Sequence, residues 1–304
     1  MKKKLPIIGI VLIFIAGIAV MSYPLISSVV NNLASRSQAE EYTNTTRQMS
    51  SEATLKLFDE ADKYNNSLTN NVIITDPFDA EAYKKIGENY AKTLDVDGNG
   101  LIGYVEIPKI DVYLPIYHGT TDEVLSKGAG HLQNTSLPVG GESTHAIISA
   151  HTAYPGETFF DYLTDMEEGD EFYIHVLDRI LKYEVDNISV ILPTETDSLR
   201  ITTGEDYVTL LTCTPYSINT HRLLVRGTRV EYDDSTYVTT GTSLGSFSEE
   251  GIFLLGYKIP YWIAAIVLGG FIGAVIIIVV IISRRSSKKK TAESKTRTVT
   301  DHVA

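Results

Sequence analysis

At 304 residues the chain is too long for one small module and suits one large domain with attachments. With 43% hydrophobic, 21% charged and 9% aromatic residues it has the material for a globular core, which excludes a mostly disordered chain. A formal net charge of −12 argues against a basic nucleic-acid binder, and one cysteine excludes an intrachain disulfide framework or a cysteine-built metal cluster.

A mean hydropathy of +0.01 is high for a soluble protein, and the apolar residues are concentrated at the two ends. After Lys2, Lys3 and Lys4, the run from Leu5 to Met21 carries no charge, and residues 1–30 read as a signal peptide or an uncleaved anchor. Ala-Val-Met-Ser at 19–22 is a poor small-x-small cleavage site, which favours the anchor. Residues 31–70 are polar, with Met49, Ala53, Phe58, Ala61, Tyr64 and Leu68 at helical spacing, and predict an amphipathic helical stalk. Asp76-Pro77 breaks that pattern within residues 71–94, and Tyr83, Ile86, Tyr90 and Leu94 predict a second helix over 79–93.

From 95 to 232 the pattern turns β, in segments beginning at Gly103, Val112, His145, Glu171, Ile180, Tyr207 and His221, divided by Gly, Pro, Asp and Ser clusters. That many short strands predict a mainly β fold, a closed barrel or a sandwich. Residues 233–260 are largely Thr, Ser and Gly and read as a linker. The 23 residues 261–283 carry no charge, long enough to cross a ~30 Å hydrocarbon layer as a helix, with Tyr261 and Trp262 at the start. The tail 284–304 is basic. With +3 at the N-terminus and +5 from Arg284 onward, the chain's −12 leaves −20 for the stretch between. Under the positive-inside rule both termini are cytoplasmic and residues 31–260 lie outside the cell membrane. No other apolar run has spanning length, so a polytopic transporter is excluded.

The lone thiol, Cys213, ends the run Val208-Thr-Leu-Leu-Thr-Cys before Thr214-Pro215, at a strand terminus where a sheet presents reactive groups. A cysteine nucleophile needs a base or a cation beside it. Of seven histidines, His302 falls in the tail, and His118, His131, His145 and His175 have nothing to mark them from structural histidines. His151 ends the run Ala146-Ile-Ile-Ser-Ala-His, much as Cys213 ends its own. A hairpin after Cys213 would return His221 or Arg222 to the thiol, and only one of these neighbours can face it.

Thr209-Leu-Leu-Thr-Cys213 resembles the TLxTC signature of sortases, the cysteine transpeptidases of Gram-positive surfaces. Ser149-Ala-His151 matches the family's histidine and Asn219-Thr-His-Arg222 its arginine, in the family's order. Gly103-Tyr-Val-Glu-Ile-Pro-Lys-Ile, Leu114-Pro-Ile-Tyr-His-Gly-Thr, Gly128-Ala-Gly-His and Arg222-Leu-Leu-Val-Arg-Gly are also similar to sortase segments. Two apolar spans, the helical extension and Asp76-Pro77-Phe78 resemble class C, the pilin-polymerising sortases, whose lid motif that tripeptide matches. The resemblance implies a closed barrel of about eight strands, with His151, Cys213 and Arg222 catalytic and Asp76, Pro77 and Phe78 forming a lid. It implies no cofactor. The implied partners are pilin subunits with Leu-Pro-x-Thr-Gly-like sorting signals and an acceptor lysine, together with membrane lipid and no nucleic acid. A housekeeping sortase acting on a peptidoglycan precursor, or a non-catalytic surface module on such a barrel, are the alternatives.

Asp95-Val-Asp-Gly-Asn-Gly-Leu-Ile-Gly-Tyr-Val-Glu106 also has the letters of an EF-hand calcium loop, with Asp95, Asp97, Asn99 and Glu106 as ligands. An EF-hand needs a helix on each side, whereas residues 101–107 are β-patterned and run into Pro108. Calcium is therefore a weak expectation.

Overall fold

Eight strands rich in β-branched and aromatic residues form the body of the protein: β1 (Leu101–Ile107), β2 (Val112–His118), β3 (Ala129–His131), β4 (Thr144–Ser149), β5 (Glu171–Val176), β6 (Arg179–Ile191), β7 (Asp206–Thr214) and β8 (His221–Val230). They close into a barrel in the order β1-β2-β3-β4-β7-β8-β6-β5, which leaves no free sheet edge. The computed structural model describes residues 5–68, 74–79, 81–83, 87–233, 252–254, 257–259, 262, 265–266, 268–273, 275 and 279.

The core lies inside the barrel, where Val105, Ile116, Ile148, Phe172, Ile174, Leu210 and Val225 are almost fully buried. β1 is buried on both faces because the helix α1 (Leu5–Arg47) covers its outside. Ala39 and Tyr42 of α1 pack against Leu101 and Tyr104, and the Tyr42 hydroxyl donates to the Ile102 carbonyl at 2.6 Å. At Gly103 any side chain would strike the His175 carbonyl oxygen, 2.2 Å from where its Cβ would sit.

The helical segment expected over 31–70 is the end of α1 followed by α2 (Ser51–Ser67), which Ser50 caps by accepting from the Ala53 N–H. α2 lies on the barrel: Phe58 and Ala61 join the central core, and the Arg179 guanidinium sits 3.7 Å over the Phe58 ring. Burying that ring contributes on the order of 2–3 kcal/mol. The continuous helix expected over 79–93 is interrupted. Among the described residues of that stretch, which leave out 80 and 84–86, residues 81–83 form a turn, Gly87 is extended and only α3 (Glu88–Lys92) is helical, so Tyr83 and Tyr90 serve two packing sites. Tyr83 joins a small cluster with Leu132, Ile147, Leu199, Leu211 and Leu224, while the Tyr90 hydroxyl bonds the backbone and ring of His131.

The calcium reading fails on placement. Asp95 Oδ1 accepts the Gly100 N–H and Asn99 Oδ1 the Leu101 N–H, both at 2.9 Å, so these side chains close a turn. Asp97 is exposed, and Glu106 is fully buried in β1, bonded to His175 Nε2 at 2.9 Å. Among the described residues no group of three His, Cys, Asp or Glu side chains could hold a metal ion.

Residues 239–304 form a second unit. Within it Ile252–Leu254 pairs antiparallel with Tyr257–Ile259, inside the stretch expected to be a linker. The expected tail 284–304 and much of the 261–283 span lie outside the described residues, as do residues 1–4 and the side chains of 5–15. Among the described residues no helix is long and apolar enough to cross a membrane.

Candidate active site

The barrel register brings the three expected catalytic residues to one rim. β7 and β8 are antiparallel with Cys213 directly opposite Arg222, so the two side chains share a face. His221 pairs with Thr214 and turns the other way, its Nδ1 2.9 Å from the Thr220 hydroxyl. That settles which of the two neighbours faces the thiol. β4 and β7 run parallel, with Ser149 level with Leu211. His151 and Cys213 lie two residues beyond that matched pair, and the Thr212 hydroxyl donates to the Ala150 carbonyl at 2.7 Å just before them.

Cys213 is 8% exposed, and burial pushes its thiol up to about 11, with Arg222 pulling down and Asp76 pushing up. Burial also holds the His151 imidazole below its ordinary value, opposed by Asp122. At neutral pH the resting pair is therefore a thiol and a neutral imidazole. Arg222 points its Nη1 at the Asn219 and His221 carbonyls, at 3.0 and 2.9 Å, which fixes the guanidinium over the turn between β7 and β8.

The remaining face of that guanidinium is taken. Asp76 accepts from Arg222 Nε at 2.8 Å and also from Nη2, a two-pronged ion pair. The Phe78 ring lies 5.1 Å from the guanidinium and 5.4 Å from the His151 ring, while Pro77 between them is buried. Asp76 also accepts from the Phe78 N–H at 3.3 Å, which closes the turn that covers the site. The segment is held further by the Thr196 hydroxyl, which donates to the Ile74 carbonyl at 2.8 Å.

Three of the other histidines, His118, His131 and His145, are held by hydrogen bonds within the fold. His118 bonds the Gly100 and Thr93 carbonyls, and His145 bonds the Arg200 carbonyl and the Thr209 hydroxyl. His131 bonds Tyr90 and the Ser136 carbonyl. Tyr154 was not anticipated: its ring stacks on His151 at 5.2 Å and 16°. Only its place three residues after His151 hinted at this.

A family model described as a sortase domain matches residues 105–230. Curated relatives include Sortase A of Streptococcus agalactiae serotype III (strain NEM316), 28% identical over 38% of this chain and 47% of that one. Sortase D of Bacillus subtilis (strain 168) is 29% identical over 38% and 55%. The chain thus spans about half the length of these curated relatives. Solved structures align more fully. Sortase C-1 from Streptococcus pneumoniae is 48% identical at TM-score 0.61, covering 65% of this chain and all (100%) of that one. A pilus-related sortase C of Group B Streptococcus is 44% identical at TM-score 0.58, covering 64% and 97%. The barrel, the Cys213–Arg222 pair and these likenesses agree: the chain belongs to the sortase family of cysteine transpeptidases, and its structural neighbours are sortases C.

Proposed function

We propose that the protein joins pilin subunits, cleaving a Leu-Pro-x-Thr-Gly-like sorting signal between Thr and Gly. The observation that carries this is the cross-strand Cys213–Arg222 pair at the rim that His151 shares, covered by Asp76 and Phe78. Cys213 gives its thiol proton to the neutral His151 imidazole as it attacks the Thr carbonyl carbon, and Arg222 donates to the oxyanion that forms, a contact worth about 10²–10³ in rate. The C–N bond to Gly breaks as His151, as imidazolium, gives its proton to the leaving amine. The thioester is then attacked by a pilin lysine amine whose proton His151 takes, an isopeptide bond forms, and the thiolate leaves. Asp76, Pro77 and Phe78 act as a lid, since Arg222 cannot reach an oxyanion while Asp76 holds it.

Class C rather than housekeeping chemistry is supported by the sortase C neighbours and by the covered resting site. Apolar residues 5–21 and 261–283, with their basic flanks, support anchoring at both ends, the barrel outside and the termini in the cytoplasm. Incubating the full chain with a purified pilin, and separately with a peptidoglycan-precursor amine, tests the reading by mass spectrometry. Lysine-linked pilin polymers from the wild type and none from Cys213→Ala are expected, and product with the precursor amine alone would overturn the pilin assignment. Protease shaving of intact cells should spare a C-terminal tag, and its removal without lysis would refute the topology.

A further inference from the structure

A catalytic imidazole is ordinarily oriented by a group that hydrogen-bonds its second ring nitrogen. Among the described residues nothing hydrogen-bonds the His151 ring. Two aromatic rings touch it, Phe78 at 5.4 Å and 37° and Tyr154 at 5.2 Å and 16°. Phe78 sits on the segment that must move for Arg222 to reach a substrate, so it cannot hold His151 during the reaction.

Tyr154 comes from a loop tied at several points. The Phe160 N–H donates to the His151 carbonyl and the Ala153 N–H to Asp161 Oδ1, both at 3.0 Å, so the loop closes on the residue it follows. The Tyr154 ring rests on buried Phe159 at 5.8 Å. From α1, Asn31 Nδ2 donates to the Gly156 carbonyl at 3.0 Å and to Glu157 Oε1 at 2.6 Å, and the Ser27 hydroxyl to the same carbonyl at 3.1 Å. None of these ties involves the Asp76–Phe78 segment.

We propose that Tyr154 is a positioning residue of the reaction: its ring, stacked on the imidazole, holds His151 in its acid–base geometry and does so alone once Phe78 lifts away. Face stacking fixes the ring plane and leaves both ring nitrogens free, one to give and take the substrate proton. An aromatic face also attracts the imidazolium, so the contact persists through both protonation states of the cycle. The proposal rests on the acid–base role given to His151.

The test uses the full chain in detergent, with ¹³C-labelled histidine, as wild type, Tyr154→Phe, Tyr154→Leu and Tyr154→Met, each also with Phe78→Ala. The readouts are the His151 ring signals, identified by their loss in His151→Gln, and kcat and KM for a sorting-signal peptide. Tyr154→Leu and Tyr154→Met should shift the ring signals as the aromatic ring current disappears. They should lower kcat roughly 10-fold or more with KM little changed, as loss of orientation does. Tyr154→Phe should restore both, and the kcat loss should be larger with Phe78→Ala. Unchanged ring signals in both Leu and Met variants, or a Phe variant as slow as Leu, would overturn the proposal. A loss confined to KM would overturn it too. A wild type that does not cleave the peptide would instead refute the proposed function, and the ring signals would still decide the stack.

Discussion

Replacing Asp76 and Phe78 together by Ala removes the contacts that hold their segment over the site. The ion pair to Arg222 is two-pronged, with side chains 9% and 16% exposed, so it sits between a surface pair and a buried one, at ~1–2 kcal/mol. The Phe78 ring adds a cation–π contact to Arg222 and a ring contact to His151, each worth about 0.5–1 kcal/mol. Ordering the segment offsets part of this, leaving a net bias of about 1–2 kcal/mol, or roughly 5–30-fold toward the covered state. The assay is the rate at which iodoacetamide modifies Cys213, the chain's only thiol. With the thiol pushed up to about 11, the wild type should react slowly at pH 8. The double variant should react about 5–30-fold faster with its circular dichroism unchanged. Because Asp76 also raises the thiol's pKa, Phe78→Ala alone separates access from charge. A rate that stays at the wild-type value in both variants, with only a lower melting temperature, would show that the segment is local packing and would retire the lid.

His151→Ala should lose at least ~10²-fold in cleavage rate, whereas His221→Ala should keep most of it; a dead but folded His221→Ala would contradict the facing assigned by the register. Arg222→Lys keeps the charge but not the fork, and should cost on the order of 10²-fold in kcat; near-wild-type kcat would remove Arg222 from the oxyanion role. Phe58→Ala should destabilise the fold by ~3–5 kcal/mol in denaturant melts, and a loss below ~1 would mean that α2 is not part of the core. Burial pushes His131 down to about 3 and His145 to about 4, below the ordinary 6.5. The unfolded chain therefore binds more protons, so this stability is present above pH 6.5 and is lost as pH falls toward 4 and 3. The melting temperature should drop over that window, and a flat profile would mean that these rings are not held neutral.

Seven of the eight strands are legible because their apolar residues recur with strand period or in short continuous runs. β3 escapes notice: three residues with a central glycine carry no period, and only its pairing between β2 and β4 makes it a strand. The Cys213–Arg222 pairing follows from counting residues around a hairpin, yet which of His221 and Arg222 faces inward depends on one step of register. The EF-hand letters mislead because Asp and Asn that cap a turn are the residue types that bind calcium, and Glu106 finds its partner 69 positions away in His175. Tyr154 is illegible for a similar reason. Its contact with His151 is made by a closed loop, and no periodicity records loop closure.

The parallel pairing of β4 with β7 sets the height of His151 against Cys213, and the β7–β8 ladder sets Arg222. All three thus hang from the frame of the barrel, and the loops 192–205 and 215–220 are pinned to it at buried Leu199 and at the Asn219 carbonyl that holds Arg222, with Leu192 and Ile218 left exposed. Such a division lets recognition drift while chemistry stays put. Exposed side chains of these loops such as Leu192 and Ile218 could be exchanged, altering which peptide is admitted without displacing a reacting atom. The rim is in that sense a socket, and the exposed side chains around it are exchangeable fittings.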